Sequence, residues 1–156
     1  MAKKATPDKT VCRNRRAAHR FHILEKIECG IALLGTEVKS LRQQAASIEE
    51  AYAMIINDEL WLIGCHIALY KFGHTQNHDP LRRRKLLAHA GEISKLNHKV
   101  VQKGLTLVPL RVYFNSRGVA KVSLGLAKGK TFADKRRAIQ TREHRREIDR
   151  ALRRKR

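Results

Sequence analysis

TLVPLRVYF at positions 106–114, NSRG at 115–118 and VAKVSLGL at 119–126 decide how this chain folds. Two apolar runs rich in β-branched residues flank a polar turn ending in glycine, the pattern of an antiparallel hairpin. Upstream, residues 92–103 place Ile93, Leu96 and Val100 on one helical face, with Gly104 as the stop. Before that, Asp79-Pro80 has the form of an N-cap followed by proline at the first helical position, so a basic helix is predicted to about Ala90, broken at Gly91. Runs at 52–56 and 60–67, separated by Asn57, Asp58 and Glu59, predict a second hairpin. From Phe21 the pattern alternates, with Phe21, Ile23, Ile27 and Cys29 on one side and His22, Leu24, Lys26 and Glu28 on the other. Gly30 interrupts it, and residues 31–41 continue as an extended segment with Gly35 as a bulge. SIEE at 47–50 has capping-box spacing and predicts a single helical turn. About six strands, two or three short helices and no alternation of strand with helix predict a mainly β, closed or nearly closed antiparallel barrel.

The charge narrows the partner class. The 156 residues carry 34 Lys+Arg against 14 Asp+Glu, a formal charge of +20. Residues 1–20 carry +6, 21–70 carry −4, 71–103 carry +6, 104–130 carry +5 and 131–156 carry +7. A mildly acidic body flanked by basic segments points to nucleic acid, because polyphosphate binding releases condensed counterions. Aromatics are only 5%, too few for a protein built mainly on base stacking. No apolar run approaches the ~18–20 residues of a membrane span, and the N-terminus lacks a secretory core, so a cytoplasmic, membrane-free protein is expected.

Residues 131–156 differ in kind. Phe132, Ile139, Ile148 and Leu152 form no continuous stripe, and ion pairs at helical spacing contribute roughly 0.2–0.5 kcal/mol each. That does not hold an isolated helix at this charge against nucleation and chain entropy. The tail is expected to be disordered alone and helical on a polyanion.

Catalytic sets are not found. His74 and His78 lie in a polar loop without a Cys or His partner set, and His19 and His22 point to opposite faces. Cys12, Cys29 and Cys65 form no CxxC pair and read as reduced thiols, Cys29 and Cys65 as buried small hydrophobes. GLAKGK at 125–130 lacks phosphate-loop spacing. No enzyme, metal or cofactor is expected.

GTEVKSLR (35–42), NHDPLRRRKLL (77–87), KGLTLVPL (103–110), GLAKGK (125–130) and DKR (134–136) occur in that order. Together they resemble the small protein B family, the tmRNA-binding partners of bacterial trans-translation, from about Asn14 to the C-terminus. The resemblance implies a six-stranded OB-like barrel at 14–130 with about three short helices, a flexible basic segment at 1–13 and a basic tail at 131–156. It implies that the barrel grips the tRNA-like domain of tmRNA, which is delivered, aminoacylated and carried by elongation factor Tu, to stalled ribosomes. The tail is then expected to occupy the empty messenger channel beside small-subunit rRNA and the decoding centre.

On spacing alone Glu28 reads as an ordinary strand glutamate and Leu87 as a core leucine; the resemblance assigns both to RNA contact, with Lys121 on the same face. A carboxylate within a basic surface accepts paired N–H donors from a base edge, which Lys cannot do. The resemblance also assigns RNA contacts to Asn14, Arg15, His19, Arg84, Lys85, Lys128 and Lys130, and decoding-centre contacts to Asp134, Lys135 and Arg136. Thr131 stands where a second Lys is usual, and Ala133 where an aromatic or His is common. Composition alone equally fits a ribosomal or ribosome-assembly protein that binds rRNA through a small β-barrel.

Overall fold

The computed structural model describes residues 8–154. In chain order it runs β1 (Lys9–Arg13), α1 (Ala17–Arg20), β2 (Phe21–Ile31), α2 (Gly35–Arg42), β3 (Ala46–Ser47), β4 (Tyr52–Ile56) and β5 (Glu59–Ile63). β6 (His66–Ile67), a 3-10 turn (His74–Gln76), β7 (Arg84–Leu87), α3 (Ala90–Lys103), β8 (Thr106–Phe114), β9 (Ala120–Gly129) and α4 (Phe132–Arg154) follow. The hairpin at 106–126 forms as expected, and its strands are the backbone of a closed ring. Six antiparallel strands pair in the order β8-β4-β5-β7-β2-β9, and β9 returns to β8. Closure removes exposed strand edges.

One edge of β8 is divided. β4 meets it only at Ala53↔Leu107, and β1 takes the far half through Thr10↔Tyr113 and Arg13↔Arg111. Lys9–Arg13, expected within a flexible N-terminal segment, is therefore a strand; residues 1–7 lie outside the described residues.

The barrel interior holds Cys29, Leu60, Leu62, Leu86, Val122 and Leu124, each at most 1% exposed, closed over by Ile93 and Leu96 of α3. The alternation along β2 does not run unbroken. The register shifts between Ile23 and Glu25, leaving Leu24 as the extra residue of a bulge. The two sides of that bulge therefore face opposite ways. Ile27 and Cys29 join the interior, whereas Phe21 and Ile23 pack outside it with Ala17, Val108, Leu110 and Ala127. Lys26 and Glu28 share this outer face.

Four further expectations are corrected. Residues 35–42, read as extended, form α2. Glu37 is the reason: its Oε2 accepts from the Leu34 backbone N–H at 2.7 Å, capping the helix, and its carboxylate then meets Arg82 and Arg84, 45 and 47 residues further on. The basic helix predicted from Asp79 is instead a turn, with Asp79 Oδ1 accepting from the Leu81 N–H at 2.9 Å, followed by strand β7. Residues 48–51 make a turn, not a helical one, closed by Ala51 N–H to the Ile48 carbonyl. α3 starts two residues before expectation, so Gly91 lies inside its first turn, while Gly104 ends it at φ 57° as expected.

α4 projects its apolar residues into solvent, Phe132 being 84% exposed. Its root is tied down. Thr131 Oγ1 accepts from Asp134 N–H at 3.3 Å, and Asp134 Oδ2 accepts from Thr131 N–H and Oγ1–H at 3.2 and 2.7 Å. This reciprocal box makes Thr131 the cap and Asp134 its partner.

Candidate RNA-binding surface

The outer face of β9, β2 and β7 is where three expected site residues meet. Glu28 lies opposite Ser123, and Gly30 lies opposite both Lys121 and Leu87, so β9, β2 and β7 bring Lys121, Glu28 and Leu87 onto neighbouring rungs. A side chain at position 30 would interfere: a Cβ there would lie 3.2 Å from Leu87 Cβ. Glycine lets Leu87 fold across β2 and remain 52% exposed. These residues line a shallow depression with Ala88, His89 and Glu92.

The Glu28 carboxylate is held from two directions. Oε2 accepts from the Tyr113 hydroxyl, and Oε1 is 3.6 Å from Lys121 Nζ. Its side chain is still 57% exposed, so it is oriented without being used up. Burial, reinforced by the hydrogen bond to Glu28, pushes the Tyr113 hydroxyl up to about 12. Arg111 stacks over the Tyr113 ring at 4.1 Å. Arg13 and Lys26 flank Arg111 and Ser123 in an adjoining depression, extending the basic rim.

Tyr113 and Arg111 were not anticipated from the sequence. The register shift between Pro109 and Arg111 hides them, because it changes which residues of β8 face outward.

The remaining assignments divide. Arg15, just before α1, and His19, within it, are exposed, and Lys128 is exposed opposite His22. Asn14 is committed to the fold: Oδ1 accepts from Ala17 N–H at 3.0 Å and Nδ2 donates to the Ile48 carbonyl at 3.2 Å. Lys130 Nζ donates to the Ala18 carbonyl at 2.7 Å. Lys85 sits on strand β7 rather than a helix, ion-paired to Glu59.

Arg84 is a correction. It is 0% exposed, and its guanidinium donates to Glu37 at 2.9 Å, Cys65 O at 2.6 Å, Arg82 O at 2.9 Å and Pro80 O at 3.1 Å. A group so enclosed cannot reach a phosphate. Burial raises the Glu37 carboxyl, but hydrogen bonds from Arg82 and the Leu34 N–H and the charge of Arg84 outweigh it and hold the group below its ordinary range. His78 is also structural: 4% exposed, it links Thr36 Oγ1 at 3.0 Å and the Ile67 carbonyl at 3.1 Å.

In the tail's DKR string, Asp134 completes the cap and lies 3.8 Å from His22, which docks the root of α4 against β2. Hydrogen bonds from Thr131 hold its carboxyl below the usual value. Lys135 Nζ lies 5.4 Å from the Phe132 ring, and Arg136 is exposed.

Burial pushes the Cys12 and Cys29 thiols up to about 11 and Cys65 to about 12. Among the described residues, no group of three or more His, Cys, Asp or Glu could hold a metal, and no helix is long and apolar enough to cross a membrane.

Comparison with known proteins settles the family. The model of the SmpB protein family matches residues 11–154. The chain belongs to the SmpB family. Relatives named SsrA-binding protein include that of Desulforamulus reducens, 51% identical over 156 residues, covering 98% of this chain and 97% of the relative. That of Moorella thermoacetica is 55% identical over 145 residues, covering 93% and 94%. A solved structure described as "tmRNA-SmpB: a journey to the center of the bacterial ribosome" superposes with a TM-score of 0.66 at 50% identity, covering 86% of this chain and 95% of that one. The six-stranded ring carrying Glu28, Leu87 and Lys121 is thus an SmpB barrel, as the motif order implied.

Proposed function

We propose that this protein binds the tRNA-like domain of tmRNA through the outer face of β2, β8 and β9, and brings it to stalled ribosomes for trans-translation in the cytoplasm. The observation that carries this reading is Glu28, oriented by Tyr113 and Lys121 beside the exposed Leu87, within a chain half identical to SsrA-binding proteins. The carboxylate accepts N–H donors from a base edge, Leu87 packs on a splayed base, and Arg13, Lys26, Arg111 and Lys121 attract the backbone. The tmRNA arrives aminoacylated and carried by elongation factor Tu, and the protein performs no covalent step.

The tail reads the ribosome. Eleven cations and an exposed, stripe-free helix mean that α4 takes its stability from a polyanion rather than from the barrel. It is disordered in the free protein and ordered where rRNA lines a messenger channel that holds no message. Lys135 and Arg136 contact phosphates at the decoding centre, while Asp134 positions the helix that carries them.

Charge reversal of Lys135 and Arg136 is the test. Binding of tmRNA in solution is expected to persist within a few-fold, and tagging on stalled ribosomes to be lost. Loss of free tmRNA binding with tagging spared would overturn this division of labour. Circular dichroism of the free protein is expected to show less helix than α3 and α4 together would give.

A further inference from the structure

The loop between β6 and β7 presents a second kind of surface. Leu69 is 55% and Phe72 64% exposed. Tyr70 and Phe72 meet edge to face, with ring centroids 5.7 Å apart and planes at 67°. Lys39 Nζ, from α2, lies 5.2 Å from the Tyr70 centroid, and Lys71 Nζ lies 6.0 Å from that of Phe72. Residues 66–78 contain no Asp or Glu.

The loop is held in shape. Asn77 clamps Tyr70 as a neighbouring strand would: Oδ1 accepts from Tyr70 N–H at 3.0 Å and Nδ2 donates to the Tyr70 carbonyl at 2.8 Å. Gly73 N–H donates to the same carbonyl at 2.9 Å. A Cβ on Gly73 would lie 2.7 Å from Asn77 Nδ2, so the closure needs glycine. Beneath it, buried His78 ties the loop's end to α2 through Thr36.

A large ring exposed on so rigid a support has a use or a cost. We propose that Phe72, braced by Tyr70 and flanked by Lys71 and Lys39, stacks an unpaired nucleobase of single-stranded RNA, forming a second RNA contact outside the Glu28 surface. An aromatic face accepts any base, and the ammonium groups take the adjoining phosphates. A duplex offers no free base face, which makes the site selective for unpaired RNA. The absence of acidic residues and the pairing of each ring with a lysine favour RNA over a protein partner. The inference requires only that the ligand is RNA, so its failure leaves the Glu28 reading untouched.

The test uses the full chain and a short single-stranded oligouridylate containing 4-thiouridine, with a duplex of the same length for comparison. Photocrosslinks are expected to map to residues 69–77. Phe72→Ala is expected to lower single-strand affinity by about 5- to 100-fold, by the same factor at every salt concentration, because stacking releases no counterions. Duplex affinity is expected to stay unchanged, and Phe72→Trp to retain single-strand binding. Lys71→Gln, by contrast, is expected to flatten the salt dependence. Crosslinks confined to the tail or the Glu28 face overturn the proposal. So does a Phe72→Ala variant that binds the single strand unchanged, as a ring serving a protein partner would, or one that weakens strand and duplex equally.

Discussion

Glu37 and Glu28 are both glutamates beside basic side chains, and their surroundings give them opposite work. Glu37 is 0% exposed and receives Arg82 in two hydrogen bonds, at 2.8 and 3.2 Å, and Arg84 at 2.9 Å. Glu28 is held by Tyr113 and Lys121 on an open face with more than half its side chain in water. In the first cluster the carboxylate is enclosed and both of its oxygens are taken by arginines of the same chain. In the second, one carboxylate is aimed outward with acceptor capacity left over. A basic string therefore marks a binding surface only where the fold leaves its hydrogen-bonding groups unspent.

The contrast is most severely tested at Arg84. Arg84→Ala is expected to cost about 3–5 kcal/mol of stability, since it takes a buried charge partner from Glu37 and a donor from the Cys65, Arg82 and Pro80 carbonyls. Urea denaturation measures it; a near-neutral result would mean that the cluster is not holding α2 to β7. The same cluster has a pH signature. The folded Glu37 carboxyl lies below its ordinary 4.5, so its contribution is fully present above the unfolded value and is lost as pH falls through the folded one. Denaturation repeated at successively lower pH is expected to show that loss in the native protein and a shallower fall in Glu37→Gln.

The open cluster is expected to affect binding instead. Glu28→Gln removes a charge that phosphate repels, so pure electrostatics would tighten tmRNA binding. It is expected to weaken by ~1–3 kcal/mol, because a base-edge contact loses an acceptor and meets a mismatched donor. Titration with the isolated tRNA-like domain distinguishes the two, and tighter binding would reduce Glu28 to an ordinary surface residue. Tyr113→Phe is expected to cost about 0.5–1.5 kcal/mol through loss of the hydroxyl that orients Glu28. In a Glu28→Gln background it should cost much less, and full additivity would separate the two residues. The smallest effect is expected at Lys121, where Lys121→Gln should reduce the slope of log affinity against log salt by about 1.

Local pattern made most of the barrel legible. Both hairpins follow from runs of apolar residues broken at 57–59 and 115–118, and α3 follows from Ile93, Leu96 and the stop at Gly104. The charge map and the motif order pointed to RNA and to the family. Each of these signals is contained within a few neighbouring residues, or in composition alone.

Where the reading departed, the deciding partner lay far along the chain. Residues 35–42 become a helix whose Glu37 is claimed by arginines more than forty residues away, and 84–87 is a strand because β5 and β2 pair with it on either side. The bulge at Leu24 moves Phe21 and Ile23 out of the barrel, and the irregularity after Pro109 turns Arg111 and Tyr113 toward Glu28. A one-residue slip reverses every side chain beyond it, and nothing in the local alternation records where the slip falls. The sequence by itself thus determined the two hairpins, α3, the charge and the kinship. Only the tertiary structure decided which charges are buried and which stay open to solvent, because burial is a property of partners that pairing across the barrel brings together.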